Sequence, residues 1–222
     1  DLFSQRGEEL TRSRGPLAER MRPKTLDEVV GQEHLVGPGR AFRVLVEEDR
    51  LSSALLYGPP GSGRTTLAEV VARHTKREFV RLSATSAGVK DVRDTVEAAR
   101  RRLGEFELGT IVFIDEIHRF SKAQQDVLLP SVESGLVTLI GATTENPFHS
   151  VNPALRSRST LFRTESVSEA ALFGLLERAL VVLNGSAEDE ALELLSRCAL
   201  GDARQALGAL EVAFALCGAE RR

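Results

Sequence analysis

The nine residues Gly58-Pro59-Pro60-Gly61-Ser62-Gly63-Arg64-Thr65-Thr66 constrain this chain more than any other stretch. An apolar run, Ala54-Leu55-Leu56-Tyr57, precedes them and reads as a buried strand. Leu67-Ala68-Glu69-Val70-Val71-Ala72 follows and reads as a helix start. Between the two, the glycine spacing and the Thr65 hydroxyl match a phosphate-binding loop in the strand–loop–helix context that such a loop needs. Glycines let backbone N–H groups curl around phosphates, and the helix N-terminus adds its positive end. Thr65 is placed to offer its hydroxyl to Mg²⁺. Arg64 stands where this pattern has lysine. Lysine occurs only at 24, 76, 90 and 122, so 25 of the 29 cationic residues are arginine, a background that makes such an exchange easy.

Strands and helices alternate around the loop. Arg40–Asp49 has helical spacing through Phe42, Leu45 and Val46 after a turn at Gly37-Pro38-Gly39. The helix leaving the loop runs to about Thr75, Glu78–Leu82 is a second strand, and Val89–Leu103 is a long charged helix. Thr110–Ile114 is a third strand, Ser121–Glu133 a helix carrying Pro130, Leu136–Ala142 a fourth strand and Leu161–Arg163 a short fifth. This alternation predicts a parallel sheet covered on both faces. From Val167 the pattern is helical: Ser168–Leu183, Ala187–Ala199 and Asp202–Leu216. The division expected is a lead-in over 1–15 with a frayed helix over Gln5–Arg14, an α/β core over 16–165, and a small helical lid domain over 166–222.

Thr110-Ile111-Val112-Phe113-Ile114 runs directly into Asp115-Glu116. Such a strand beside the loop supplies one carboxylate, Asp115, to hold a metal and a second, Glu116, to orient and deprotonate an attacking water. The fourth strand ends in Gly141-Ala142-Thr143-Thr144-Glu145-Asn146. Parallel sheets bind ligands at the carboxyl ends of their strands, which makes Thr144, and after it Asn146, candidates to touch a γ-phosphate or its water. The plainer reading is a turn before Pro147. Arg158, after the helical stretch Asn152–Leu155, is either a surface charge or a group reaching into a neighbouring subunit's site. Arg204, opening the last helix, either pairs with Asp202 or Glu211 or bends back to the nucleotide. Pro23 with Val29-Val30-Gly31 is a packing strap or a lid over an adenine ring, and the two are compatible.

The net charge is −3, with 42% hydrophobic and 27% charged residues. That balance supports a sizeable core and does not advertise nucleic-acid binding. A DNA contact would draw on Arg93, Arg100–Arg102, Arg119 or Lys122, although solvated helix faces explain most of these. No run of 18 apolar residues suggests a membrane span, and Asp1-Leu2-Phe3-Ser4-Gln5-Arg6 is unlike a signal peptide. Cys198 and Cys217 lie in apolar helical patterns and read as buried thiols of a reducing, cytoplasmic compartment.

With these parts in this order, the chain resembles an AAA+ ATPase of the P-loop NTPase class. Within that superfamily it resembles the replication-associated recombination protein A family, which includes the eukaryotic Werner-helicase-interacting protein. The matching text is Met21-Arg22-Pro23, Thr25-Leu26, Gly31-Gln32-Glu33-His34-Leu35 and Leu82-Ser83-Ala84. It continues through Asp115-Glu116-Ile117-His118-Arg119-Phe120, Lys122, Gln124-Gln125-Asp126 and Leu129-Pro130. Gly141-Ala142-Thr143-Thr144-Glu145-Asn146-Pro147 and Val151-Asn152, Ala154-Leu155, Ser157-Arg158 are the most diagnostic.

The resemblance implies a five-stranded α/β core with a helical lid, ATP or ADP with Mg²⁺ as cofactors, and DNA-dependent ATP hydrolysis at stalled or gapped replication forks. It assigns Thr144 as sensor 1, Arg158 as the arginine finger acting in trans and Arg204 as sensor 2. It implies single-strand-binding protein and DNA junctions as partners, and nucleoid association in a bacterium. Full-length members are homo-oligomers through a further C-terminal part, which leaves a monomer open for this stretch. Arg64 departs from the family pattern. Its planar fork is bulkier than an ammonium, so weakened nucleotide binding, slow turnover or both are expected, and a nucleotide-binding scaffold for replisome partners is the competing reading.

Overall fold

The structure, a computed structural model, describes residues 15–219. The frayed helix expected over Gln5–Arg14 lies outside the described residues. The chain divides into two compact units, one comprising residues 24–59 and 63–165 and the other the remaining described residues, 15–23, 60–62 and 166–219.

The larger unit holds a five-stranded parallel sheet in the order β2-β3-β4-β1-β5, with β1 Ala54–Tyr57, β2 Glu78–Ser83, β3 Thr110–Asp115, β4 Val137–Thr143 and β5 Thr160–Arg163. Side chains alternate between faces along each strand. Ala54, Leu56, Ile111, Phe113, Ile140 and Ala142 pack into one core, and Leu55, Val112, Ile114, Val137 and Leu139 into another on the opposite face. The central strands β1, β3 and β4 therefore read as near-continuous apolar runs, because neither of their faces meets water, whereas the edge strands β2 and β5 are partly exposed. Three longer helices flank the sheet unit's strands in sequence: α4 Arg64–His74, α5 Val89–Phe106 and α6 Lys122–Glu133. They are preceded by the short helices α1 Leu17–Arg20 (in the smaller unit), α2 Glu33–Val36 and α3 Ala41–Glu47, and followed by α7 Pro147–Ser150 and α8 Pro153–Ser157. Helix α6 starts on a capping box, with the Ser121 hydroxyl accepting from the Gln124 amide and the Gln124 side chain accepting from the Ser121 amide.

The junction from α3 to β1 and from α4 to β2 is tied by Asp49. Its carboxylate accepts from the Thr75 hydroxyl at 2.7 Å, the Lys76 amide at 3.1 Å and Arg77 Nη2 at 2.9 Å. Burial alone would raise this carboxyl, but those donors outweigh it and hold it below the ordinary carboxylate range. A depressed carboxyl stabilises the fold above its unfolded pKa of about 3.9 and loses that contribution as pH falls through its folded value. Asp49→Asn is accordingly expected to lower the melting temperature at neutral pH. The gap to the parent should narrow below about pH 4, as thermal melts across pH will show.

The smaller unit is helical, with α9 Glu169–Leu183, α10 Asp189–Cys198 and α11 Ala203–Ala219. Leu172, Leu175, Leu176, Ala179 and Leu180 form the buried stripe of α9, and the Ser168 hydroxyl caps it by accepting from the Ala171 amide. Residues 16–23, which the sequence reading joined to the sheet core, cluster with this unit instead. Leu17 is fully buried, its amide donates to both carboxylate oxygens of Glu211 at 3.0 Å, and Arg20 pairs with the same carboxylate at 3.6 Å.

Both cysteines correct the sequence reading: Cys198 and Cys217 are free and exposed. In α10 the buried stripe runs through Leu192 and Ser196, whose hydroxyl donates back to the Leu192 carbonyl. Cys198 lies two residues past that stripe, about 200° round the helix. In α11 the fully covered positions are Ala206, Leu207 and Leu210, and Cys217 lies two turns beyond them. Among the described residues no helix is long and apolar enough to cross a membrane.

Candidate functional site

Strand register gathers the candidate groups of the sheet unit at one edge. Tyr57 pairs with Thr143, and Ile114 pairs with Gly141, so the carboxyl ends of β1, β3 and β4 lie side by side. The chain after β1 forms the glycine-rich loop and enters α4 at Arg64. Gly63, in front of that helix, has φ +91°, a conformation that an L side chain resists. At Gly58 the requirement is space: a Cβ there would stand 2.2 Å from the Thr164 carbonyl oxygen.

Arg64 is 8% exposed. Its Nη1 donates to the Gly58 carbonyl and, at 2.7 Å, to the Pro59 carbonyl, while Nη2 stands 3.6 Å from Glu116 Oε1. The guanidinium is thus folded onto the loop's own carbonyls and reaches the candidate base. Thr65 Oγ1 donates to Asp115 Oδ2 at 3.0 Å. This joins the two groups assigned to Mg²⁺, a hydroxyl and a carboxylate, across α4 and β3. Both are hard oxygen donors of the kind Mg²⁺ takes when phosphate and water oxygens complete its shell. The donor set fits the ion.

Glu116 follows Asp115 in the left-handed region, φ 52° and ψ 51°. For a residue with a Cβ that conformation costs about 1–2 kcal/mol, and such strain clusters at functional positions. Its backbone N–H donates to Asp115 Oδ1 at 3.1 Å. Its Oε2 accepts from the Thr144 hydroxyl at 3.3 Å and lies 3.2 Å from His118 Nδ1. The structure therefore brings together Arg64, Thr65, Asp115, Glu116 and Thr144.

Other candidates stand differently. The Asn146 side-chain oxygen accepts from the Phe148 amide and caps α7. Arg158 reaches Glu133 at 2.6 Å and the Ala154 carbonyl at 3.0 Å. Arg204 is exposed on the first turn of α11 in the helical unit. Pro23 falls in the helical unit, and Val30 and Gly31 in the sheet unit, with Gly31 at φ +75°. Pro60, Gly61 and Ser62 cluster with the helical unit, whereas Thr66 continues α4 in the sheet unit. Of the cationic DNA candidates, Arg100 pairs with Glu97 and Arg102 donates to Thr110, which gives both a local structural role.

Two residues escaped the sequence reading of individual side chains. Gln32 is fully buried and grips the backbone of Glu165 twice, donating to its carbonyl at 2.7 Å and accepting from its amide at 3.0 Å. This fixes the segment after Gly31 to the end of β5. A lone glutamine beside a glycine carries no periodic signal. His118 touches the candidate base, and its place two residues beyond Glu116 was the available clue.

Residues 54–167 match the family described as ATPase family associated with various cellular activities (AAA). An uncharacterized AAA domain-containing protein of Mycobacterium tuberculosis is 50% identical over 213 residues, covering 93% of this chain and 47% of that protein. Replication-associated recombination protein A of Coxiella burnetii is 47% identical over 204 residues, covering 89% of this chain and 46% of that protein. The chain thus spans just under half the length of these relatives. Among solved structures, the Thermotoga maritima RuvB Holliday junction branch migration motor superposes with a TM-score of 0.74 at 28% identity, covering 86% of this chain and 64% of that one.

Proposed function

The chain belongs to the AAA family of ATPases, and on that premise we propose that it is the ATPase part of a DNA-dependent motor acting at stalled or gapped replication forks. The observation that carries the reading is the 3.0 Å contact between Thr65 Oγ1 and Asp115 Oδ2, with Glu116 next in the chain and held by Thr144. The backbone N–H groups of the loop, those of Gly58 and residues 61–66 since Pro59 and Pro60 have none, would cradle the phosphates of ATP, and Thr65 and Asp115 would hold Mg²⁺. When bound, the ion neutralises charge across the β- and γ-phosphates. Glu116 accepts the proton of the attacking water, and Thr144 orients that water or the γ-phosphate. Asn146, three residues past the end of β4, is proposed as a second polar group through its side-chain NH2, its oxygen being engaged in capping α7. Pro23, Val30 and Gly31 cover the adenine. Arg204 is proposed as a γ-phosphate sensor on the strength of the family resemblance. The name of one relative, replication-associated recombination protein A, supports a role in replication-linked recombination; DNA forks, gaps and junctions as substrates, single-strand-binding protein as partner and the cytoplasm as compartment are part of the proposal.

Arg64 favours one modification of this reading. Its bonds to the Gly58 and Pro59 carbonyls and its approach to Glu116 compete with phosphate and occupy the base. Slow turnover follows, and a largely static nucleotide-binding scaffold is its limit. The test is ATP turnover with and without forked DNA. DNA-stimulated hydrolysis supports the motor, and hydrolysis indifferent to DNA removes that part of the reading.

Arg158 is assigned to the neighbouring subunit's site in a homo-oligomer, where it offsets charge on the transferred phosphate. To act there it must leave Glu133. Mixing Arg158→Ala with Glu116→Gln subunits is then expected to restore part of the turnover that each lacks alone. A mixture no more active than its components argues against action in trans.

A further inference from the structure

We infer that His118 is a positioning residue for Glu116, holding the base carboxylate toward the end of β4 and away from Arg64. The inference rests on the ATPase reading above. His118 follows the strained Glu116 turn on a short 3-10 segment, Ile117–Arg119, and its side chain is 12% exposed. Ile117 is fully buried against the sheet, which anchors the segment that carries the imidazole.

Nδ1 of His118 stands 2.9 Å from the Thr143 hydroxyl and 3.2 Å from Glu116 Oε2. Thr143 is itself fully buried and accepts the Glu145 amide at 3.0 Å, so its oxygen is a fixed point at the end of β4. An ionised carboxylate can only accept hydrogen bonds. An Nδ1 lone pair facing it at 3.2 Å would repel it, so the tautomer that fits places the proton on Nδ1, hydrogen-bonded to Thr143, with Glu116 Oε2 in electrostatic contact beside it. Nε2 faces the exposed Glu145 carboxylate at 3.8 Å, beyond hydrogen-bond reach.

Two pulls therefore act on the base. Arg64 stands 3.6 Å from Oε1 on the loop side, while His118 and Thr144 hold Oε2 on the β4 side. Thr144 is exposed and its contact is 3.3 Å long, whereas the largely buried imidazole is fixed to Thr143 and is the firmer of the two holds. A carboxylate released from His118 rotates toward the guanidinium and loses its aim at a water on the γ-phosphate side. Misplacing a catalytic group in this manner costs rate on the order of 10–100-fold without a matching loss of binding.

The test compares His118→Ala, His118→Asn and His118→Gln, in the chain as it stands and with Arg64→Lys. ATP turnover at saturating Mg-ATP, affinity for a fluorescent ADP analogue and melting temperature are measured for each. The amide nitrogen of asparagine reaches the place of Nδ1, and that of glutamine reaches the place of Nε2. Alanine and glutamine are expected to lower turnover about 10–100-fold at near-constant affinity, with asparagine recovering most of it. Unchanged turnover in His118→Ala overturns the inference alone. So does asparagine behaving like alanine, or a loss confined to affinity or melting temperature. Absence of turnover in both parent forms overturns the ATPase reading on which the inference rests.

Discussion

Arg64→Lys is expected to raise ATP turnover by roughly 10²–10³-fold, the range associated with placing or misplacing one preorganised charge at a developing anion. The reason lies in what the guanidinium touches. Nη1 is spent on the Gly58 and Pro59 carbonyls and Nη2 leans toward Glu116. Serving phosphate requires leaving a buried pocket where the side chain is 8% exposed. A lysine ammonium is a compact point charge on a flexible stem, with three donors that can be divided between β- and γ-oxygens. It also sets Glu116 free of its cationic neighbour on the loop side. Steady-state turnover of the two forms, with and without forked DNA, checks this. Equal and robust rates would show that arginine serves the site as well as lysine does.

Glu116→Gln is expected to lower turnover on the order of 10²–10⁴-fold, the contribution of a positioned general base, while nucleotide binding persists. Glutamine keeps the shape of the side chain and can still meet Thr144 and His118. What it lacks is basicity toward water. The backbone at Glu116 stays in the left-handed region with either residue, so the strain is common to both and does not enter the comparison. The measurement is single-turnover hydrolysis of bound ATP. A loss of binding equal to the loss of rate would assign Glu116 to charge balance in the loop instead of to proton transfer.

Much of the sheet was legible because parallel strands buried on both faces leave a signal that survives without context. Thr110-Ile111-Val112-Phe113-Ile114 is such a run, and β3 ends one residue beyond it at Asp115. Helix ends were less legible. Val89–Leu103 extends to Phe106, because Gly104 weakens the pattern without breaking the helix, and the turn is closed by Glu107 at φ 54°. The cysteines misled because apolar neighbours fix which helix is amphipathic but not which side of the stripe a small residue occupies. In the candidate site, the loop and the Asp115-Glu116 pair were visible as spacing. The grip of Gln32 on Glu165 depends on chain segments brought together by folding, while the left-handed turn at Glu116 and the imidazole beside it are matters of local backbone geometry. None of them leaves a period or a composition bias in the sequence.

The central claim is that Gly58–Thr66, with Thr65 and Asp115, forms a Mg-nucleotide site. Calorimetric titration of ATP into the parent chain and into Arg64→Lys, with and without Mg²⁺, tests it most directly. Binding in both forms is predicted, tighter with Mg²⁺ and tighter again with lysine, and losing its Mg²⁺ dependence in Thr65→Ala. No binding in either form at millimolar ATP, or binding indifferent to both Mg²⁺ and Thr65, would contradict it.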